Sequence, residues 1–439
     1  MNSPAIPAVN LFGALQMVQR DFSLLRLNGQ FYIIDEIELN NYRNGIKADV
    51  SLFDKQNGRI QIERYLTNQP VACIPSQIFL EFIKNNQTHV YNEIKFHPLN
   101  PNKDVLNLWV PPTIEAIDTP CPTIDDFLFD IIANQDQVIY DYLIHYLAHL
   151  YQKPEEKPGI MVALMSAQGC GKGVFMDMLR MIWSRTTNMI NDIEQITGRF
   201  NLSLERHLIV CLDEAMYVND NAGQEKLKNL ITEPYIQVEA KHQTPRTVNS
   251  LHRFFLATNH EHFLKTTKDD RRLFAIPISE YRQNDSVYFS NLINKMKHSD
   301  ELNGFVYKLS QINLSNFNIR NRPKTAMHAM QIIRSLQGVD RWVYEILNNK
   351  AIGYSHSSWQ EAFFISMDNL KREYKYFNPQ AEKYKTLQSD EIKLSFKKLI
   401  PGAIETRTAQ ARGFRLPDIQ VARIDFEAIV GMQIDWDVA

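Results

Sequence analysis

Ile160-Met-Val-Ala-Leu-Met165-Ser166-Ala167-Gln168-Gly169-Cys170-Gly171-Lys172-Gly173-Val174 is the stretch on which the fold turns. Its six leading apolar residues read as a buried strand. Val174, Phe175, Met178, Leu179, Ile182 and Trp183 then recur at helical spacing. Between them lies a turn rich in glycine. Such a turn closes tightly enough for backbone amides to converge on phosphate oxygens, the helix N-terminus adds partial positive charge, and a lysine at the helix start reaches the terminal phosphates. Residues 166–174 are therefore candidates for binding a nucleotide. Two positions depart from the pattern GxxxxGK[ST]: Ser166 replaces its first glycine, and Gly173 replaces the hydroxyl residue that usually meets Mg²⁺. An ordinary glycine turn before a helix is the alternative.

Downstream, Leu208-Ile-Val-Cys-Leu212 is a second buried-strand run and ends in Asp213-Glu214. Phe254-Phe-Leu-Ala257 is a third and ends in Thr258-Asn259, with Lys268-Asp-Asp-Arg271-Arg272 beyond it. Strands alternating with helices predict an α/β fold with a mostly parallel sheet covered on both faces. Ligands of such sheets collect at the carboxyl ends of the strands. Asp213 is thus a candidate holder of Mg²⁺, and Glu214 a candidate base for the water that attacks a terminal phosphate.

The order of phosphate loop, Asp-Glu strand, Thr-Asn strand and arginine pair resembles the superfamily 3 helicases, and among them the phage and plasmid primase-helicase group. Arg199-Phe200-Asn201, Arg322-Pro-Lys-Thr325, Ser335-Leu and Trp342 resemble other parts of that group, so the likeness runs over roughly residues 120–439. The resemblance implies an AAA+-like P-loop ATPase core that uses ATP and Mg²⁺ in a ring, usually a hexamer. It makes Lys172 the phosphate lysine, Asp213 the metal acid, Glu214 the catalytic glutamate and Asn259 the sensor that positions the lytic water. Arg271 or Arg272 becomes the finger inserted into a neighbour's site. Arg272 is favoured, because Arg271 can pair with Asp269 or Asp270. Lys241-His242 resembles the tip of the hairpin that meets single-stranded DNA in the ring channel.

Around this core the sequence divides into a mixed α/β region (1–120), a helical collar (121–158), the ATPase domain (159–285), a helical region (286–345) and a basic domain (346–439) that the resemblance makes winged-helix-like. Prolines 101, 111, 112, 120 and 122 predict an extended linker before the collar. Thr123-Ile-Asp-Asp126 is a candidate capping box. His145 and His149, four apart with no third ligand near, read as ordinary helix histidines. From Lys371 to Arg415 there are 11 Lys/Arg against 5 Asp/Glu, an excess of 11 − 5 = 6, interleaved with Tyr374, Tyr376, Phe377, Tyr384 and Phe396. Basic residues among aromatics can track a phosphate backbone and stack bases. Arg407, Arg412 and Arg415 are the candidate phosphate contacts there.

Composition bounds these readings. With 439 residues, 44% hydrophobic and 22% charged, the chain is long enough for several domains and is not a disordered or fibrous sequence. Its net charge of −2 leaves nucleic-acid binding to local patches. Four scattered cysteines form no zinc or disulfide pattern and suit a reducing cytoplasm, that of a bacterial host. The first residues lack a secretory pattern, and no apolar run is long enough to span a membrane. The resulting expectation is a DNA helicase for phage, plasmid or mobile-element replication, acting on single-stranded and forked DNA. With no primase or polymerase motif in residues 1–120, it works beside a separate primase or polymerase, or is the helicase half of a longer primase-polymerase. The alternatives are an ATPase that loads or remodels a replication complex and a non-hydrolysing origin-binding scaffold.

Overall fold

A computed structural model of the chain describes residues 10–47, 49–71, 74–99, 102–213, 221–239, 245–260, 270–352, 358–378, 389–431, 433, 434 and 436. At its centre five parallel strands run in the order Leu273–Pro277, Met161–Met165, Arg253–Thr258, Ile209–Asp213, Thr187–Ile190. The apolar runs of the four strands other than the edge strand Thr187–Ile190 follow from burial on both faces. Successive side chains point opposite ways: Val162, Leu164, Cys211, Phe255 and Phe274 enter one core, Met161, Ala163, Val210, Leu212, Phe254 and Leu273 the other. The first core also holds Phe175, Met178, Leu179 and Ile182 from helix Lys172–Ile182; the second is closed by Leu227 and Ile231.

The collar consists of Pro122–Asp126, one π-helical stretch at Phe127–Ile132, and Gln137–Gln152. No side chain of the 121–126 segment caps its first helix, which corrects the predicted capping box. Glu301 instead accepts hydrogen bonds from the Thr123 amide at 2.9 Å and its hydroxyl at 2.8 Å, from 178 residues away. The linker before it crosses helix Glu301–Gln311, where Asn303 Nδ2 donates to the Glu115 carbonyl at 3.0 Å. At Gly304 a Cβ would stand 2.1 Å from the Thr119 carbonyl oxygen, so glycine is what lets the linker lie flat.

Residues 10–110 contain a three-stranded sheet (Gln30–Asp35, Phe22–Leu27, Val90–Tyr91) packed by helices Leu11–Asp21, Lys55–Thr67 and Pro75–Lys84. At the carboxyl end of the chain, Gly338–Asn349, Phe363–Ser366, Met367–Phe377, Ser389–Leu399, Ile404–Arg407, Arg412–Leu416 and Ile419–Val430 form helices around a three-stranded antiparallel sheet. This body has its own core, from Ala329 to Trp436. Val339, Trp342, Val343, Ile346 and Leu347 of helix Gly338–Asn349 belong to that core, so the predicted 345/346 boundary cuts through an element of one body. Among the described residues no helix is long and apolar enough to cross a membrane.

Candidate functional site

Pairing register brings the strand ends together. Met165 lies opposite Thr258 and Leu164 opposite Ala257, while Ala257 lies opposite Asp213. The loop that begins at Ser166, the Asp213 carboxylate and Asn259 therefore share one edge, with neighbouring strands about 4.8 Å apart. Asn259 is exposed and Asp213 half-buried. Glu214, Lys241 and His242 lie outside the described residues.

The loop is built on two left-handed glycines, Gly169 (φ 82°) and Gly171 (φ 94°). Side chains there would be strained and would also collide: a Cβ at 169 would sit 2.1 Å from Asn284 Oδ1, and one at 171 would sit 2.7 Å from the Phe289 ring. Lys172 opens the helix. Its buried ammonium donates to the Ser166 carbonyl at 2.8 Å, the Ser166 hydroxyl at 3.0 Å and the Ala167 carbonyl at 2.8 Å. The turn after the edge strand braces the loop. The Ala167 amide donates to Glu280 Oε1 at 2.9 Å, Gln283 Nε2 to the Gln168 carbonyl at 3.0 Å, and the Asn284 amide to the Gly169 carbonyl at 3.0 Å. Cys170 is buried, and Val174 packs against the first core. At Gly173 an added Cβ meets nothing within 4 Å.

A phosphate chain fits these residues: a glycine-lined turn, the first turn of a helix and an ammonium held by exchangeable carbonyl partners converge there. For a metal, the described residues hold no group of three or more His, Cys, Asp or Glu. Mg²⁺ commonly binds through one or two carboxylates together with phosphates and water, a demand that Asp213 can meet.

Arg271 and Arg272 are at the other edge of the sheet. The Met161 amide donates to the Arg272 carbonyl at 2.7 Å, at the start of the strand whose far end carries the glycine-rich loop. Four residues at about 3.3 Å each separate those ends, roughly 13 Å. The two arginines line a cleft of about 420 Å³ with Lys157 and Arg320. Asp269 lies outside the described residues, and Asp270 is set against Arg272 rather than Arg271. Arg272 faces Asp270, at 3.9 Å, and its amide donates to the same carboxylate at 2.9 Å, whereas Arg271 is exposed.

Two further predicted elements have defined surroundings. Asn201 donates to the Gln237 carbonyl at 3.0 Å and accepts from the Glu239 amide at 3.1 Å, bracing the hairpin Tyr235–Val238/Arg246–Asn249, whose connection contains Lys241-His242. In the carboxyl-terminal body Arg407 and Arg412 face each other across a hairpin, and Arg415 follows two strand positions after Gly413 on the opposite face from Arg412; all three are exposed. The interleaved aromatics divide. Tyr374 and Phe396 are core residues packed on Trp342, while Tyr376 is 62% and Phe377 43% exposed. His145 and His149 are engaged within the fold, His145 at the Asp141 carbonyl and His149 between Glu156 and Arg253. Sequence reasoning missed Glu280, Gln283, Asn284 and Phe289 altogether, and nothing local marks them.

Residues 164–272, which contain this edge, match the model of a family of unknown function (DUF5906). The DNA primase-polymerase of Nitratiruptor phage NrS-1 is 23% identical over 238 residues, 51% of this chain and 32% of that protein, so the chain spans about a third of that relative's length. The apo structure of the NrS-1 C-terminal region superposes with a TM-score of 0.64 at 15% identity, covering 92% of this chain and 97% of the other. An A-form apo structure of the same region gives 0.58 at 15% identity, over 95% and 90%. The mixed α/β fold is thus similar to that of the NrS-1 C-terminal region.

Proposed function

We propose that the chain is an ATP-dependent DNA helicase in the replication of a phage or related mobile element, working as a ring on single-stranded DNA. The observation that carries the reading is the separation of its parts. Loop, Asp213 and Asn259 share one edge of the sheet while Arg271 and Arg272 stand at the other, so a complete site needs two copies of the chain. The strand order, in which Arg253–Thr258 lies between the loop strand and the Asp213 strand, fits an AAA+-like core. The likeness to a phage primase-polymerase supports the replication setting.

In this reading Lys172 leaves the Ser166 and Ala167 carbonyls to meet the phosphates of ATP, and Asp213 orients Mg²⁺, which supplies charge neutralisation on the phosphates. Glu214 takes the proton of the attacking water that Asn259 positions. A neighbour's Arg271 or Arg272 offsets charge growing in the transition state, a role worth about 10³–10⁵ in rate where measured. Lys241 and His242 contact the strand in the channel. The order helix, strand, helix, helix, hairpin in residues 338–416 supports a winged helix, with Arg407 and Arg412 as phosphate contacts. Two like charges directly opposed across strands disfavour the hairpin until an anion joins them.

ATP turnover with and without single-stranded DNA, beside strand displacement from a forked duplex, tests the reading. Displacement coupled to hydrolysis is expected. Hydrolysis without displacement would favour a loader, and nucleotide binding without hydrolysis a scaffold. Mixing Glu214→Gln subunits with Arg271→Ala/Arg272→Ala subunits tests sharing, because independent subunits would show no cross-talk.

A further inference from the structure

An open groove of about 670 Å³ lies in the amino-terminal body, far along the chain from the residues discussed so far. Its walls come from the end of helix Leu11–Asp21, helix Glu36–Arg43, the Val90–Tyr91 strand and the segment 102–109. Arg20, Arg43 and Lys103 line it, with His89, Tyr91 and Trp109 beside them. Glu36 is the one carboxylate in the lining, and it is engaged: it accepts from the Ser23 hydroxyl at 2.6 Å and the Tyr91 hydroxyl at 3.0 Å. Arg20 forks onto Asp21 through two bonds of 2.7 Å, yet its side chain is 70% exposed. Lys103 is exposed in a turn and makes no ion pair among the described residues. The aromatic rings are fixed by their neighbours, Tyr91 edge-on to His89 at 4.5 Å and Trp109 edge-on to Phe96 at 5.2 Å.

We infer that this groove binds single-stranded nucleic acid, its cations meeting phosphates and the rings of Trp109 and His89 meeting bases. Four features select that ligand class. The volume falls in the range of built binding sites. With Arg20 set against Asp21, Arg43 and Lys103 still outnumber the Glu36 carboxylate, so the groove favours an anion. Preoriented aromatic faces beside cations suit a ligand that alternates phosphate and ring, and such stacking contributes about 1–3 kcal/mol per base. The open side lets a strand pass through, which an enclosed metabolite pocket would not allow. The inference does not depend on the nucleotide site at the sheet edge.

The test uses the full chain and an oligodeoxythymidylate carrying 5-iododeoxyuridine. Photo-crosslinking followed by peptide mapping should label His89 or Trp109. In a salt titration, Arg43→Gln/Lys103→Gln should lower the slope of log affinity against log salt by about 1.4, two lost phosphate contacts at roughly 0.7 each. Lys103→Gln alone should lower it by about 0.7; its exposed position protects the comparison should the Arg43 change disturb the Tyr91 cluster. ATP binding at the Lys172 loop should be unchanged in both variants. Crosslinks confined to other parts of the chain, an unchanged slope, or labelling by iododeoxyuridine monophosphate but not by the strand would each overturn the inference. Loss of the ATP site in Lys172→Ala with the crosslinks intact would leave it standing.

Discussion

Gly173→Ser places a hydroxyl at the position that follows Lys172, and its consequences can be worked out in advance. The position is the second residue of helix Lys172–Ile182 and is exposed, and a Cβ there meets no heavy atom within 4 Å. No steric cost therefore opposes the change. Replacing glycine inside a helix removes unfolded-state freedom and contributes about 0.5–1 kcal/mol; near the helix start the lower figure applies. In a domain of 150–250 residues, about 0.5 kcal/mol raises the melting midpoint by about 1–2 °C. Gly173→Ala shares that gain and lacks the hydroxyl. The difference between the two variants thus isolates the metal ligand. If Mg²⁺ sits beside Asp213 and the phosphates, serine should lower the Mg²⁺ concentration for half-maximal ATP binding about tenfold relative to alanine, or about 1.4 kcal/mol. Isothermal titration at several Mg²⁺ concentrations reads this directly. Destabilisation of Gly173→Ala by more than 1 kcal/mol would refute the open-space argument. Equal Mg²⁺ dependence in the two variants would refute the placement of the metal.

Three other substitutions probe the frame. Gly304→Ala should lower stability by about 1–3 kcal/mol in urea unfolding, since its methyl would press on the Thr119 carbonyl from inside a buried helix. Glu280→Ala removes the acceptor of the Ala167 amide and should weaken ATP binding about three- to tenfold, near 1 kcal/mol, while Glu280→Gln retains most of it; equal affinities in all three proteins would remove the brace. Burial and the facing Arg253 guanidinium hold His149 at about 4, below its ordinary 6.5, against the opposing pull of Glu156. The unfolded chain binds a proton that folded His149 refuses, so stability should fall as pH drops from 6.5 towards 4, and His149→Gln should flatten that part of the profile.

What could be read from the sequence was what local pattern encodes. The run Ile160–Met165, the glycines and the apolar spacing after Lys172 determine a strand, a turn and a helix within some twenty residues, and the structure contains them. Pairing order was not legible, because short apolar runs such as those at 160–165, 208–212 and 254–257 carry no label for their neighbours. The brace at Glu280 escaped for the same reason: its bond to Ala167 spans 113 residues. Thr123 misled because a capping carboxylate three residues away looks sufficient, whereas Glu301 arrives from another helix. The basic aromatic stretch was half legible. Spacing along Met367–Phe377 puts Leu370 and Tyr374 on one face, which distinguishes the core tyrosine from exposed Tyr376.

The sorting of apolar side chains into separate cores determines what light emission from this protein reports. Of the five tryptophans, Trp342, Trp359 and Trp436 sit in the carboxyl-terminal core, Trp183 lies in the first core under the five-stranded sheet, and Trp109, beside the amino-terminal groove, packs against that same core. Intrinsic fluorescence recorded during heating is therefore weighted towards the carboxyl-terminal body. A chain with several cores need not melt in one step, and a midpoint read from that signal would miss damage to the edge of the five-stranded sheet. Removing the three carboxyl-terminal indoles by conservative replacement leaves Trp183 and Trp109, which together report on the first core.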